Sequence, residues 1–367
     1  MRILLLSDTY SEHTEKWAIG LADKGIEVGL FSFNKASYPW FSNHKNITLL
    51  YQANKKINAD GNVLSKLSYL KLVRKLKASI KIFKPTILHA HYATSYGLIG
   101  ALSGFHPYVI SAWGTDVMKF PQQNFINKAI LKYNLHKADA ICATSATIQN
   151  YLRPVTSKKV TIIPFGVNIA EFCKKEVTNL FDKTTFVIGS IKPLEELYNI
   201  HILIQSFSII KLKYPTKNIK LLIIGEGLQE TNLKKLVATL QLTNDVVFTG
   251  RIAFNQIPTY FNMLDILVNI SDYESFGVSV IEAMACAKPV IVTNVGGLKE
   301  IINSDTIGLK VDVGNVEQTT TAIEKLITDK ELYERISINA RKHVVKHYNW
   351  ENNLQTMIDE YTKLLKS

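Results

Sequence analysis

The stretch Ser271–Gly297, SDYESFGVSVIEAMACAKPVIVTNVGG, is the strongest constraint on the fold. Leu267–Ile270 is a short apolar run that suits a buried strand, and Ser271–Ser275 interrupts it with polar residues. From Phe276 the spacing becomes helical, with Val280, Ala283, Met284 and Ala287 recurring at intervals of three and four. Lys288-Pro289 stops that helix, Val290–Thr293 is a second apolar run, and Gly296-Gly297 opens a loop. The stretch therefore predicts strand end, loop, helix, strand and glycine loop in succession.

Two carboxylates stand eight positions apart, Glu274 in the loop and Glu282 in the helix, with Phe276-Gly277-Val278 at the helix start between them. A helix N-terminus offers unpaired N–H groups and partial positive charge, which attract phosphate. Gly277 lacks a Cβ, so a ligand can approach its backbone. Carboxylates repel phosphate but accept from sugar hydroxyls. A nucleotide sugar presents the matching pattern of hydroxyls, diphosphate and hydroxyls. Spacing alone is weak, since paired glutamates on many helices face water; the short Ala-rich helix between two strands is what favours a site.

The run E-S-F-G-V-S-V-I-E-A-M-A-C-A-K-P-V-I-V-T-N-V-G-G-L-K-E resembles the E-x7-E signature of the retaining GT-B glycosyltransferases of the family 4 type. The resemblance implies an α/β, GT-B fold of two Rossmann-like domains facing each other across a cleft. It places the nucleotide sugar on the C-terminal domain and the acceptor on the N-terminal one. The implied division is residues 1–170 plus a C-terminal helix at 349–367 for the acceptor domain, a linker at 171–183, and 184–348 for the donor domain.

At 367 residues and 47% hydrophobic content the chain suits two α/β cores. Met1–Leu6 is too short an apolar run for a signal peptide, and no stretch approaches the roughly 20 residues that span a bilayer. Cys142, Cys173 and Cys286 form no metal or disulfide spacing, which suits a reducing cytoplasm. Residues 1–180 carry 23 Lys+Arg against 10 Asp+Glu, whereas 181–367 carry 20 against 21. The excess positive charge thus lies in the half assigned to the acceptor, and suits an anionic partner such as membrane phospholipid or a polyprenyl-linked carrier. No nucleic-acid module accompanies the charge.

Arg2–Ser7, Glu15–Lys24 and Glu27–Phe33 read as strand, helix and strand, with Trp17, Leu21 and Ala22 inward and no dinucleotide glycine fingerprint. The loop Thr9–Thr14, which contains His13, also lacks the paired glycines of many family 4 enzymes. Val63–Lys84 reads as an amphipathic helix, with Tyr69, Val73, Leu76, Ile80 and Phe83 on one face. Lys66, Lys71, Arg74, Lys75, Lys77, Lys81 and Lys84 cover the rest. It is a crossover helix whose basic face can also dock on anionic lipid. His89 and His91 point to one side of a strand at Thr86–His91, as a hydrogen-bonded pair rather than a metal pair. The resemblance places His13, His91, Tyr96 and Trp113 on the acceptor side. Many relatives have a histidine where this chain has Trp113, in W-G-T-D, so the catalytic expectation there moves to Asp116. V-T-I-I-P-F-G-V-N at 160–168 is similar to the segment that crosses between the domains.

In the second half, relatives read G-R-L followed by K-G, where Arg and Lys grip the diphosphate. This chain reads G-S-I-K-P-L-E-E-L-Y-N, so Ser190 replaces the Arg, Tyr198-Asn199 replaces Lys-Gly, and Lys192 takes the phosphate role. I-G-E-G at 224–227 and F-T-G-R-I at 248–252 resemble the base-binding wall, with backbone near Ile252 meeting the base. Uridine and guanosine both remain open. Trp350–Leu365 is expected to return to the first domain.

The implied reaction moves a hexose-type sugar from a UDP- or GDP-linked donor to a hydroxyl of a glycan or lipid-linked acceptor. Glu282 would accept from the ribose, and Glu274 from the transferred sugar. No cofactor is implied. Ser271-Asp272-Tyr273 is not the D-x-D of metal-dependent transferases, so no obligatory metal is expected. Two rivals remain: a nucleotide-sugar hydrolase or epimerase, which would act on donor alone, and a non-catalytic partner protein, for which Glu274→Ala would leave the biological role intact. Surface polysaccharide or glycolipid assembly on the inner face of a membrane is the expected setting.

Overall fold

A computed structural model describes residues 1–53 and 63–366, with side chains at all of these except 63–70. Its contacts divide the chain into two compact units, Met1–Phe165 with Glu351–Ser367, and Gly166–Trp350.

In the first unit the strands are β1 (Arg2–Leu6), β2 (Glu27–Ser32), β3 (Ile47–Gln52), β4 (Ile87–His91), β5 (Tyr108–Ala112), β6 (Ala140–Ala143) and β7 (Val160–Ile162). Its helices are α1 (Glu12–Asp23), α2 (Val63–Phe83), α3 (Ser95–Ser103), α4 (Thr115–Met118), α5 (Phe120–Gln123), α6 (Phe125–Lys137) and α7 (Ala146–Leu152). Among the described residues the strands form one parallel sheet in the order β3-β2-β1-β4-β5-β6-β7. The order reverses beside β1, and in open sheets of this kind ligands bind beyond the strand ends at such a reversal. Buried strands explain the near-continuous apolar runs ILLL and VIS.

Helix α2 buries Leu72, Leu76, Ser79 and Phe83, with Val73 and Ile80 half-buried, and exposes Lys71, Arg74, Lys75, Lys77, Lys81 and Lys84. Lys66 and Tyr69, expected on its two faces, lie outside the described side chains.

The second unit contains β8 (Phe186–Ile191), β9 (Ile219–Ile224), β10 (Val246–Phe248), β11 (Ile266–Asn269), β12 (Val290–Thr293) and β13 (Leu309–Val311). Its helices are α8 (Ile200–Lys213), α9 (Glu230–Thr239), α10 (Ile257–Met263), α11 (Val278–Ala285), α12 (Gly296–Ile301), α13 (Val316–Thr328) and α14 (Lys330–His347). Its parallel sheet runs β10-β9-β8-β11-β12-β13, with the reversal beside β8. The final helix, α15 (Trp350–Lys366), buries Leu354, Met357 and Tyr361, and the Tyr361 hydroxyl bonds His89 Nδ1 at 2.6 Å.

The stretch 171–183, expected as a linker, is held to the second unit by its backbone. Arg341 donates to the carbonyls of Ile169 (3.0 Å), Phe172 (2.6 Å) and Ala285, and Asn262 donates to Cys173 O at 3.0 Å. Phe172 is buried.

Candidate active site

In the second unit the site grows from the exits of β8 and β11. The loop before α11 and the start of α12 meet backbone to backbone. Gly297 N–H donates to Glu274 O at 2.9 Å, a Cβ on Gly296 would lie 2.1 Å from that oxygen, and one on Gly297 would lie 2.4 Å from Phe276 Cα. Only glycines permit this approach. Thr293 Oγ1 adds a 2.5 Å bond to Ser271 O, and Ser271 Oγ donates to Asn269 Oδ1 at 2.8 Å. Asn199, in a left-handed conformation at φ 52°, donates to Ile270 O (3.1 Å) and Asp272 Oδ1 (2.5 Å). In the sequence, Asn199 stands as half of a replaced Lys-Gly pair. Asn199 instead pins the β11 exit, and the tolerance of Asn for the left-handed region is the signal the sequence carries for it.

Gly277 is the N-cap of α11 at φ 110°, ψ 55°, and no side chain caps the helix. Phe276 turns its ring inward, 2% exposed and edge-on to Tyr348 at 5.7 Å, so this residue can offer only backbone to a ligand. Gly277 is buried, whereas Val278 and Ser279 are half-exposed. Glu282 lies on α11 and is 8% exposed.

Glu274 and Lys192, from different loops, form an ion pair with side chains 17% and 11% exposed. Lys192 Nζ also lies 5.0 Å from the centroid of the Tyr198 ring. The Lys192 backbone is fixed by its N–H to Ile224 O (3.0 Å), and a Cβ on Gly225 would lie 2.0 Å from Lys192 O. Ser190, two residues earlier on β8, is 1% exposed with its hydroxyl unpartnered among the described residues. Ile252 is half-buried in the loop after β10, where Gly225 N–H donates to Gly250 O at 3.0 Å. The second unit thus joins Glu274 directly to Lys192 beside the head of α11.

In the first unit, His13, His91 and Trp113 form one ring cluster at the ends of β1, β4 and β5. His13 stacks on Phe165 at 4.0 Å and meets Trp113 edge-on at 5.9 Å, and His91 lies 4.5 Å from Trp113. Phe165, in the segment expected to cross between the domains, has a further place in this cluster that its sequence context does not signal. Beneath the rings runs a hydroxyl network: His91 Nδ1 to Ser7 Oγ (2.9 Å), Ser7 to Thr14 (2.6 Å), and His89 Nε2 to Ser111 Oγ (2.8 Å). Burial, aided by Lys16, lowers the His13 pKa to about 4; burial lowers His89 to about 3; burial with His89 and His13 nearby takes His91 well below its ordinary value. All three imidazoles are neutral near pH 7.

Two expectations for this unit are corrected. Asp116 is 1% exposed, and its carboxylate accepts from the N–H groups of Ala93 (2.7 Å), Gly114 (2.7 Å) and Trp113 (3.2 Å). Burial raises its pKa and these bonds oppose the rise. Asp116 therefore organises the W-G-T-D loop from within rather than meeting a substrate. Tyr96 is a core residue: its hydroxyl accepts from Phe33 N–H at 2.9 Å and its ring stacks on Phe33 at 4.1 Å.

Comparison with known proteins follows this division. Residues 173–343 match the family described as glycosyl transferases group 1, and residues 2–145 match the glycosyl transferase 4-like family. The chain is 24% identical to N-acetyl-alpha-D-glucosaminyl L-malate synthase of Bacillus anthracis over 277 residues, 72% of this chain and 71% of that protein. It is 32% identical over 258 residues to CapM of Staphylococcus aureus, a capsular polysaccharide biosynthesis glycosyltransferase, covering 64% of this chain and 67% of CapM. Among solved structures, Anabaena HepE in complex with UDP and glucose superposes with a TM-score of 0.78 at 20% identity, covering 99% of this chain and 100% of HepE. The chain belongs to the group 1 glycosyltransferases, enzymes with the two Rossmann-like domains of the GT-B fold.

Proposed function

We propose that this glycosyltransferase takes a sugar from a UDP- or GDP-linked donor and transfers it, with retention of anomeric configuration, to a hydroxyl of a glycan or lipid-linked acceptor. The observation that carries the reading is the Lys192–Glu274 pair beside the uncapped head of α11. A cation and free amides are what a departing diphosphate needs, and a carboxylate beside them is what a sugar hydroxyl needs. HepE was solved with UDP and glucose, which supports a nucleotide-sugar donor, and CapM supports surface polysaccharide assembly.

In this reading the diphosphate competes with Glu274 for Lys192. As Lys192 turns to phosphate, Glu274 becomes available to the hydroxyls of the transferred sugar, and Glu282 accepts from the ribose. Ser190 and the backbone at Phe276-Gly277-Val278 line the diphosphate, and the base meets backbone near Ile252. The charge that builds on the leaving group is stabilised by groups already in place. Among the described residues no carboxylate is placed as a nucleophile, so in this reading the acceptor attacks from the face the leaving group vacates and gives its proton to a donor phosphate oxygen. His13 and the edge of Trp113 lie on the acceptor side, while His91, expected there too, is 2% exposed and supports Trp113 from within. No metal is obligatory, so activity is expected to survive chelator. The basic face of α2 draws the enzyme to an anionic membrane surface at the cytoplasmic side. Among the described residues no helix is long and apolar enough to cross a membrane.

A panel of UDP- and GDP-sugars tested by thermal shift checks the reading. A donor at 100 times its Kd is expected to add about 2.7 kcal/mol of stability, with the shift lost in Lys192→Ala and product formation lost in Glu274→Gln. Absence of a shift with every donor would sink it.

A further inference from the structure

Helix α3 packs against both α2 and α6, so the three belong to one helical layer of the first unit. Between Val63 and Ala138 the sequence has a single carboxylate, Asp116, and that one is buried. The outer surface of this layer therefore has cations without acidic partners from the same segment. Helix α6 adds an apolar feature that α2 does not explain. Asn124 caps it, accepting from Asn127 N–H at 2.9 Å, and this sets Phe125 and Ile126 side by side in the first turn. Phe125 is 82% exposed and Ile126 40%. Lys128 and Lys132 are exposed farther along, and Tyr133 is 39% exposed with Lys137 Nζ 5.8 Å from its ring centroid. Next to the helix start is an open hollow of about 310 Å³ whose lining includes Val117, Pro121, Lys128 and Tyr151.

We propose that the start of α6 is an apolar anchor for an anionic phospholipid bilayer. Phe125 and Ile126 enter the boundary between headgroups and acyl chains, and Lys128 and Lys132 meet lipid phosphates with their stems along the apolar surface. Charge complementarity selects this occupant. A second copy of the chain would bring lysines against lysines. A nucleic acid would satisfy the lysines but leave Ile126, which has no ring to stack, in water. The anchor does not depend on the sugar-transfer reading, and it differs from the α2 attraction because apolar insertion resists salt whereas charge attraction does not.

The test is co-sedimentation of the full chain with phosphatidylglycerol/phosphatidylcholine vesicles at rising salt. The double variant Phe125→Ser/Ile126→Ser is expected to lower partitioning roughly ten-fold or more, and to abolish the part that persists at high salt. Lys71→Gln/Lys75→Gln on α2 is expected to weaken binding at low salt only. Transfer activity on a soluble acceptor should be unchanged in both. Phe125→Trp gives a second readout, because the four native tryptophans are at most 8% exposed. Its emission should shift blue on vesicles and be quenched by brominated lipid. Double-serine binding equal to wild type, or an introduced indole that stays in water, overturns the anchor and leaves α2 standing. No vesicle binding by wild type overturns both. Self-association or nucleic-acid binding that is lost in the double-serine variant would reassign the surface.

Discussion

At the scale of single residues, the informative contrast is between Asp116 and Glu274. Both are acidic residues in polar loops after strands, and both read as candidates for chemistry. Asp116 is surrounded by backbone donors at 2.7–3.4 Å, whereas Glu274 faces a side-chain cation that a ligand can claim. A carboxylate so surrounded accepts only, and replacing one oxygen by an NH₂ group sets donor against donor. Asp116→Asn is therefore expected to lower the unfolding free energy by about 1–3 kcal/mol, read by urea denaturation, with the pH–rate profile of the folded fraction unchanged. A stable variant whose activity collapsed would return Asp116 to the chemistry. The E-x7-E pattern marks Glu274 alone, but nothing in the sequence shows that Asp116 is tied up, because that depends on which backbone amides the fold brings round it.

At the scale of elements, the periodic segments were legible and the aperiodic ones were not. Val290–Thr293 has the bounds that its apolar run gave. The α11 helix begins at Val278 instead of Phe276 because Gly277 adopts a left-handed cap conformation that spacing does not encode. Helix α1 begins at Glu12, three residues before the expected Glu15, since its first turn is polar and carries no apolar period. The short helices α4 and α5 have too few residues to show a period at all. Gly296-Gly297, expected to open a loop, instead forms the start of α12, and its job of supporting Glu274 required the packing. Gly296 has φ 41° and no room for a Cβ beside Glu274 O, whereas Gly314 has φ 69° and open space around it. Gly314→Ala is expected to cost about 1–2 kcal/mol of backbone strain and to leave donor affinity intact. Gly296→Ala must also displace the Glu274 carbonyl, so donor affinity measured by calorimetry should fall at least ten-fold. Equal donor affinity in the two variants would show that the loop contact does not position Glu274.

At the scale of the whole molecule, the histidines of the first unit give the chain an acid limit. His13, His89 and His91 are neutral when folded, with values of about 4, about 3 and well below 6.5, chiefly because burial disfavours the imidazolium. On unfolding each returns to about 6.5. Between the folded and unfolded values the unfolded chain binds more protons, so stability must rise with pH across that window. The contribution is complete above about pH 6.5 and is lost progressively as pH falls toward 4 and 3. The steepest part lies above the ordinary carboxylate range, so it is separable from losses due to protonating acids. His91 is flanked by His89 at 4.5 Å, and charging either ring would set it against its neighbour. Calorimetry between pH 7.5 and pH 4.5 is expected to show a falling Tm. The buried His89 bridges Tyr361 of α15 and Ser111 of β5, so acid should also loosen the C-terminal helix. Hydrogen exchange in α15 should therefore quicken over the same pH window, after correction for the intrinsic rate. A Tm that stays level down to pH 4.5 would mean that these rings are hydrated or charged in solution, and the neutral cluster assigned to the acceptor side would fall with them.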